Sequence, residues 1–293
     1  MSALDGQGRF GDIPSSGHVP IVETPNLNGT TETATPLTMN PRTLTSRAAA
    51  ATWNTMDDLP KSASKPKPSN PVQWPPAGVK PYYSDDAVCI ILGDCRDIMP
   101  TLPKVDLVLT DPPYGVGLQT AYAANQRGNL TAAHDYPPVH GDDAPFDPAP
   151  WLAFPNIIMW GANYYASRLP DQGQWLVWDK RDGIAFNDQA DAELAWTRGT
   201  GGTVPRIYRH LWNGMLKDSE RDQVRVHPTQ KPIALMRWCM GFFPDALTIL
   251  DPFMGSGTTL RAAKDLGRKA IGIEVEERYA EIAARRMSQG VLL

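Results

Sequence analysis

The sequence is poor in cysteine and has no long hydrophobic run. The three cysteines, Cys89, Cys95 and Cys239, form no CxxC pair. This excludes a disulfide scaffold and a cysteine-based zinc site, and it is typical of proteins from a reducing compartment. No apolar stretch approaches the roughly 20 residues that span a bilayer. Residues 1–10 also lack the basic segment and apolar stretch of a signal peptide. We therefore expect no membrane partner.

Excess positive charge is also absent. The chain has 28 Lys and Arg against 32 Asp and Glu, a net charge of −4. Any nucleic-acid partner must therefore contact a local basic face. Residues 1–74 lack hydrophobic periodicity and are rich in Ser, Thr, Pro, Asn and Gly. This composition predicts a low-complexity, disordered N-terminal tail, with a partner-binding arm as the alternative. The remainder, 75–293, is predicted to be one domain.

Short apolar runs in this domain alternate with helical patterns. We predict helices over 96–102, 229–243, 258–266 and 277–287, the second with Thr229 as its N-cap. The predicted strands are 87–92, 105–110, 156–160, 175–178, 246–250 and 270–273. This alternation predicts a three-layer α/β fold with a mostly parallel sheet, in which ligands bind beyond the carboxyl ends of the strands. Residues 187–226 alternate less clearly and are interpreted as a variable insertion.

A glycine-rich segment, Asp251-Pro-Phe-Met-Gly-Ser-Gly-Thr-Thr259, follows one predicted strand. Gly255 and Gly257 permit close approach of a ligand, and the helix that begins next offers free N–H groups to an anion. The segment is neither a Walker loop nor a GxGxxG motif. The following strand ends on Glu274, whose carboxylate can accept hydrogen bonds from both ribose hydroxyls of a nucleoside. Together these features predict a nucleoside-cofactor site.

The segment Asp111-Pro-Pro-Tyr114 ends another predicted strand. Pro112 and Pro113 lack N–H groups and leave rigid carbonyls that only accept hydrogen bonds. Asp111 adds a carboxylate and Tyr114 a flat ring. Acceptors beside an aromatic ring suit a planar ligand with an amino group, such as a nucleic-acid base. The same residues also make a good strand-ending turn, and the segment alone leaves both interpretations open.

The order of these two motifs resembles the amino-group DNA methyltransferases that use S-adenosylmethionine, in their beta-type arrangement. The segments Gly93-Asp-Cys95 and His227-Pro-Thr-Gln-Lys-Pro232 match the same family. The resemblance extends over about 88–287. It implies a circularly permuted, Rossmann-like methyltransferase fold over 75–293, with S-adenosylmethionine as the cofactor, double-stranded DNA as the partner and no metal.

The resemblance also implies residue roles. Asp111 and the Pro112 carbonyl would accept hydrogen bonds from the amine of a flipped base, Pro113 would complete the rigid turn, and Tyr114 would stack on the base. The implied cofactor residues are Asp94, Cys95, Thr229, Lys231, Asp251, Phe253, Gly255, Ser256, Gly257, Thr258 and Glu274. Thr229 and Lys231 would lie near the methionine end of the cofactor.

An initial Asp in this motif favours adenine N6 in the family, so we expect a site-specific N6-adenine enzyme of the restriction-modification type. The alternatives are N4-cytosine methylation, RNA methylation and a non-catalytic DNA-binding protein on the same fold. Cytosine C5 methylation requires a nucleophilic cysteine, usually after a proline, and none of the three cysteines follows one. The resemblance implies a bacterial cytoplasm, or the cytoplasm of a phage host, and a monomer or homodimer.

Basic residues for DNA contact are concentrated in 206–231, which has six Lys or Arg against three acidic residues. Aromatic residues are interspersed there, a pattern that suits phosphates and bases, although an ordinary solvated surface is equally consistent. A loop over 119–127 could close over the flipped base. The candidate DNA-binding residues are Arg127, Arg206, Arg209, Lys217, Arg221 and Arg225. His134, His140 and His210 have no metal-ligand spacing and are expected at the surface.

Overall fold

The computed structural model describes residues 74–118, 121–122, 134–181, 190–213, 216–221, 223 and 225–290. Contacts divide the chain into two units, Met1–Ala50 and Ala51–Leu293, and all described residues lie in the second. The predicted disordered tail lies outside the described residues except for Trp74. The indole of Trp74 donates to the carbonyl of Asp85 at 2.8 Å and packs on the core. The boundary between tail and domain stays a prediction.

Thirteen short strands occur in the described part of the chain. The predicted apolar runs account for β2, β3, β6, β7, β12 and β13. The full set is β1 Tyr83–Ser84, β2 Val88–Leu92, β3 Leu107–Thr110, β4 Ala121–Tyr122, β5 His134–Asp135, β6 Ile157–Trp160, β7 Gln174–Asp179, β8 Ala192–Arg198, β9 Arg206–Arg209, β10 Trp212–Asn213, β11 Leu216–Lys217, β12 Thr248–Asp251 and β13 Lys269–Glu274.

The helices are α1 Cys95–Ile98, α2 Ile233–Gly241, α3 Thr258–Asp265 and α4 Glu277–Ser288. Short 3-10 turns cover Met99–Thr101, Ala149–Ala153, Ala162–Tyr164 and Ala166–Arg168. The prediction that Thr229 caps α2 is wrong, because the helix begins four residues later. Lys231 precedes a proline, and that position disfavours helical geometry. None of these helices has the length and apolarity that a membrane crossing requires.

Nine strands form the main sheet in the order β1-β2-β13-β12-β3-β6-β8-β7-β9. The five central strands from β2 to β6 are parallel, whereas β8 is antiparallel to both of its neighbours. The expected mostly parallel α/β sheet is confirmed. Because β12 and β13 lie between β2 and β3, the two predicted motifs come together at the carboxyl ends of adjacent strands.

Two hydrophobic clusters pack on opposite faces of the sheet. In β2, Val88 and Ile90 belong to one cluster, and Cys89 and Ile91 belong to the other. Successive side chains of a strand point to opposite faces, so this alternation separates the clusters. Helices α2, α3 and α4 contribute buried residues to the first cluster. The turns between 149 and 168 contribute to the second, which completes the three layers.

The range 187–226 contains part of the main sheet. Strand β8 lies between β6 and β7, and β9 forms the edge beyond β7. Ala195, Trp196 and Thr197 of β8 are buried. The interpretation of the whole range as an insertion therefore does not hold for these two strands. Its proposed role in target recognition stays a prediction.

Candidate active site

A cleft of about 1210 Å³ opens at the carboxyl ends of the central strands. It is large enough for a nucleoside cofactor together with a second planar ligand. Predicted residues from separate segments of the chain come together in its wall. They are Asp94, Cys95, Asp111, Pro112, Pro113, Tyr114, Arg225, Thr229, Lys231, Phe253, Gly255 and Glu274.

Glu274 fixes the glycine-rich loop beside the cleft. One carboxylate oxygen accepts a hydrogen bond from the N–H of Gly255 at 2.9 Å, and the other accepts from the N–H of Glu276 at 2.9 Å. Gly255 has a φ of +49°, and a Cβ there would lie 3.3 Å from Nε2 of His227. Burial raises the pKa of Glu274 to about 7. The carboxylate has further lone pairs for hydroxyl groups of a ligand.

Four residues predicted to bind cofactor lie behind the cleft wall: Asp251, Ser256, Gly257 and Thr258. Asp251 is 3% exposed and accepts from Oγ1 of Thr110 at 2.8 Å. Burial raises the pKa of Asp251 to about 6. Its position indicates that it shapes the loop that begins at Phe253.

The Ser-Gly-Thr part of the loop packs against α4. Gly257 has a φ of +78°, and a Cβ there would lie 2.9 Å from Cβ of Ala283. The guanidinium of Arg286 donates to the carbonyl of Ser256 at 3.0 Å and to Oγ1 of Thr258 at 3.2 Å. Glycine at 257 is therefore required by helix packing, a role that differs from the predicted approach of a ligand.

Asp94 and Cys95 begin α1 at the end of β2. Asp94 caps the helix by accepting a hydrogen bond from the N–H of Arg96 at 2.8 Å. Its carboxylate also accepts from the Arg96 guanidinium, and the side-chain and backbone hydrogen bonds together lower the pKa of Asp94 to about 2. Burial raises the pKa of the Cys95 thiol to about 11. A neutral, buried thiol is a packing surface and a poor nucleophile.

Tyr279 and His227 form a wall that the sequence did not predict as part of the site. Their rings meet edge to face at 4.3 Å. Burial lowers the pKa of His227 to about 3, so its imidazole is neutral and supports the turn, where its Nδ1 lies 3.3 Å from the N–H of Thr229. The hydroxyl of Tyr279 is buried without a partner among the described residues. The sequence could have indicated Tyr279 as a site residue, because it lies in the first turns of α4, five residues after Glu274.

Asp111 stands at the end of β3 with both carboxylate oxygens engaged. Oδ1 accepts a hydrogen bond from the Tyr114 hydroxyl, and Oδ2 accepts from Nζ of Lys231 at 2.6 Å. Burial raises the pKa of Asp111, and the adjacent ammonium opposes that rise. The structure places Lys231 against Asp111 of the Asp-Pro-Pro-Tyr motif. Its place near the methionine end of the cofactor stays a prediction.

Glu193 of β8 completes this group and was not predicted. Its carboxylate lies 2.9 Å from Nζ of Lys231 and 2.9 Å from Nζ of Lys180. Burial disfavours the ammonium of Lys231, which is 5% exposed, but Asp111 and Glu193 together raise its pKa. Likewise, the two lysines outweigh burial and lower the pKa of Glu193 to about 2.

The Tyr114 ring packs closely within the site. It stacks on the Tyr164 ring at a centroid distance of 5.0 Å and an interplanar angle of 17°. Gly161 lies beside it, and a Cβ there would be 1.9 Å from a ring carbon of Tyr114. Tyr164 is 51% exposed. The two stacked rings form an aromatic edge of the cleft beside Asp111.

Asp142 holds the loop that follows the Asp-Pro-Pro-Tyr motif. Its Oδ1 accepts from the N–H groups of Tyr114, Gly115 and Val116 at 3.1, 2.8 and 3.2 Å. Its Oδ2 accepts from the N–H of Leu118 at 2.6 Å. One buried carboxylate thus binds four backbone N–H groups between Tyr114 and Leu118. Nothing in the sequence around 142 indicated this role.

The candidate DNA-binding residues are only partly gathered at the cleft. Arg225 lines it, whereas Arg206, Arg209 and Arg221 are exposed and Lys217 is partly exposed. The ammonium of Lys217 lies 4.7 Å from the Trp212 ring centroid. Arg127 and the proposed closing loop lie outside the described residues.

The expected surface position of His210 is wrong. Its ring is buried between Tyr208 and Trp212, and its Nε2 lies 2.9 Å from Oγ of Ser219. His140 is exposed, and the side chain of His134 is outside the described part of the chain. In the regions that the structure describes, no group of three or more His, Cys, Asp or Glu side chains is arranged to hold a metal ion.

Comparisons with known proteins find similarity to DNA methyltransferases. The family profile for N6 and N4 methyltransferases, described as "DNA methylase", matches residues 177–285. The type II methyltransferase M2.LlaDCHI of Lactococcus lactis subsp. cremoris is 25% identical over 252 residues, 72% of this chain and 93% of the relative. The type II methyltransferase M.ScaI of Streptomyces caespitosus is 24% identical over 302 residues, 82% of this chain and 94% of the relative.

Among solved structures, the M1.HpyAVI–SAM complex is 23% identical with a TM-score of 0.42, and it covers 69% of this chain and 100% of that chain. The family profile and the curated relatives are DNA methyltransferases, the class that the two motifs indicated, and the chain is similar to them.

Proposed function

We propose that this protein is a site-specific DNA methyltransferase that transfers a methyl group from S-adenosylmethionine to the N6 amine of adenine in double-stranded DNA. The observation that carries the proposal is the position of Asp111. Its carboxyl group and the Pro112 carbonyl lie in the same cleft as Gly255 and Glu274. Acceptors for an amine and acceptors for ribose hydroxyls thus share one cavity.

The residues present fit S-adenosylmethionine. Glu274 would accept hydrogen bonds from the ribose hydroxyls, while Phe253 and Gly255 would line the loop beside it. The cofactor supplies a methyl group on a sulfonium, which needs no acid to leave. The protein's task is therefore to position the amine in line with that methyl group. Asp111 and the Pro112 carbonyl would hold the two amine hydrogens and aim the nitrogen lone pair.

Adenine is the proposed base because Asp111 occupies the first position of the motif. N4-cytosine methylation uses the same geometry and is the nearest alternative. Methylation of RNA and DNA binding without catalysis are the others. We further propose that the protein acts in a bacterial or phage-infected cytoplasm, as a monomer or homodimer, within a restriction-modification system.

The first test incubates the protein with labelled S-adenosylmethionine and unmethylated genomic DNA, followed by digestion to nucleosides and mass spectrometry. N6-methyldeoxyadenosine is the expected product. If the product is N4-methyldeoxycytidine, the proposed reaction stands and the assignment of adenine as the target base is wrong. Methylation of RNA alone would show that the substrate is RNA and not DNA. Cofactor binding without any methylated product would favour the non-catalytic alternative.

The Asp111→Ala and Asp111→Asn variants test the catalytic role. Both should lose at least about a thousandfold in transfer, because the amine loses its charged acceptor. The dissociation constant of S-adenosylmethionine, measured by calorimetry, should stay within about threefold. Full activity in either variant would contradict the assignment of Asp111.

A further inference from the structure

Four charged side chains alternate in sign beside the cleft, in the order Asp111, Lys231, Glu193 and Lys180. The successive closest N···O distances are 2.6, 2.9 and 2.9 Å. The Asp111 and Glu193 side chains are 16% and 24% exposed, and that of Lys231 is 6% exposed. Two anions and two cations give the group a net charge of zero, which is the arrangement that best tolerates burial.

Three oxygen atoms surround the Lys231 side chain. Its ammonium contacts Asp111 Oδ2, Glu193 Oε2 and, at 3.2 Å, the Tyr114 hydroxyl. An amine that binds to Asp111 must share an oxygen that already accepts from Lys231 or Tyr114. If Asp111 were the only carboxylate beside Lys231, weakening that contact would leave a buried ammonium without a counter-charge. An unpaired buried charge is strongly unfavourable.

We propose that Glu193 is a positioning residue for Asp111. By sharing the Lys231 ammonium, Glu193 lets Lys231 loosen its hold on Asp111 when the target amine arrives, while the ammonium keeps an anionic partner. The inference rests on the proposed function, because it assigns the amine of a base to Asp111. Glu193 touches neither the base nor the cofactor in this scheme and acts only through Lys231. Lys180 holds the second oxygen of Glu193 in place.

The proposal makes a signed prediction about the Asp111 carboxyl group. Removing the negative charge in Glu193→Gln should lower the pKa of Asp111, and removing the positive charge in Lys231→Met should raise it. The other titratable groups that face Asp111 are Tyr114, Tyr165 and Asp251. They are unchanged in both variants. A general loosening of the fold would not move the pKa in opposite directions.

The experiment titrates side-chain carboxyl carbons by ¹³C NMR in the full-length protein, with the Asp111 signal assigned by its loss in Asp111→Asn. Opposite shifts of at least half a pH unit in the two variants are expected. Shifts in the same direction, or no shift, would overturn the proposal. Glu193→Asp keeps the charge, so its Asp111 should titrate near the wild-type pH. This variant also serves if Glu193→Gln does not fold.

Methyl transfer gives the second readout. Glu193→Gln should lower kcat at least tenfold while the S-adenosylmethionine dissociation constant stays within twofold, and Glu193→Asp should recover part of that loss. The control is Glu281→Gln, an exposed carboxylate on α4, which should keep wild-type kcat. An unchanged kcat in Glu193→Gln would overturn the positioning role. If wild-type protein methylates nothing, the proposed function fails, and the NMR titration still decides whether Glu193 and Asp111 are coupled.

Discussion

Glu274 carries the most informative titration in the cofactor half of the cleft. Its pKa of about 7 reflects burial that three backbone hydrogen bonds do not fully offset. Ribose hydroxyls donate hydrogen bonds, so they favour the ionised carboxylate. Below pH 7 the free site is protonated, and a ligand that needs the anion must first displace that proton.

We therefore expect the affinity for S-adenosylmethionine to rise with pH between about 5.5 and 7 and to level off above, with a limiting slope of about tenfold per pH unit. Calorimetric titrations across this range measure the slope. The Glu274→Gln variant should bind S-adenosylmethionine more weakly, and its affinity should no longer rise between about pH 5.5 and 7. The same pH dependence in Glu274→Gln would remove Glu274 from the ribose site.

The sequence predicted which residues reach the cleft where a polar side chain stands at the end of an apolar strand. Asp111 and Glu274 each end a strand and could be assigned from the sequence. Glu193 could not, because only the order of strands in the sheet brings it to Lys231. Lys231 was predicted near the methionine end of the cofactor, and its neighbours along the chain do not show that it reaches Asp111 at 2.6 Å.

At the scale of elements, the loop after Tyr114 depends on one carboxylate. The loop lies between the catalytic motif and β4, and Gly115 packs so closely on the Ala144 carbonyl that a Cβ would lie 2.3 Å from it. The amide of an Asp142→Asn variant can present an oxygen to only some of the four N–H groups, and its own N–H₂ would face the rest. The loop and the Tyr114 ring should then lose their fixed position.

For Asp142→Asn we expect a fall in kcat/KM for DNA of about 10- to 100-fold, the range for losing charged hydrogen bonds to a buried acceptor. Flipping of a 2-aminopurine target base, followed by fluorescence, should weaken as well, whereas cofactor affinity should not change. The matched control is Asp143→Asn, because the Asp143 side chain is next to Asp142 in the chain but is exposed. Equal effects of the two substitutions would argue against this role for Asp142.

Elements with continuous apolar runs were predicted well, and those with mixed sequences were not. Strands β2, β3, β12 and β13 are buried on both faces, and such strands read as unbroken hydrophobic runs. Strand β8, Ala192–Arg198, includes two half-buried charged residues, Glu193 and Arg198. Glu193 pairs with Lys231, and the guanidinium of Arg198 donates to the carbonyl of Phe154 at 2.6 Å. The polar side chains of β8 bind to residues that are far away in the sequence, and the hydrophobic pattern of a short segment does not show such contacts.

At the scale of the whole molecule, a protein of net charge −4 must gather positive charge locally to bind DNA. Strand β9 is one place where this happens. It forms the edge of the main sheet, and Arg206 and Arg209 are exposed on it. Arg209 pairs in register with Asp179, the residue before Lys180 in the cleft wall. This edge strand is therefore paired with the strand that ends at the cleft wall.

If β9 contacts the DNA backbone, the double variant Arg206→Ala/Arg209→Ala should bind DNA more weakly at moderate salt. The slope of log K against log salt concentration should become shallower by about 2, close to one unit for each lost phosphate contact. Fluorescence anisotropy from about 50 to 300 mM salt measures this. The control is Arg285→Ala, which removes an exposed arginine on α4 that pairs with Glu281. A salt slope that falls equally in the control would reflect net charge alone, and an unchanged slope would place the DNA on another face of the protein.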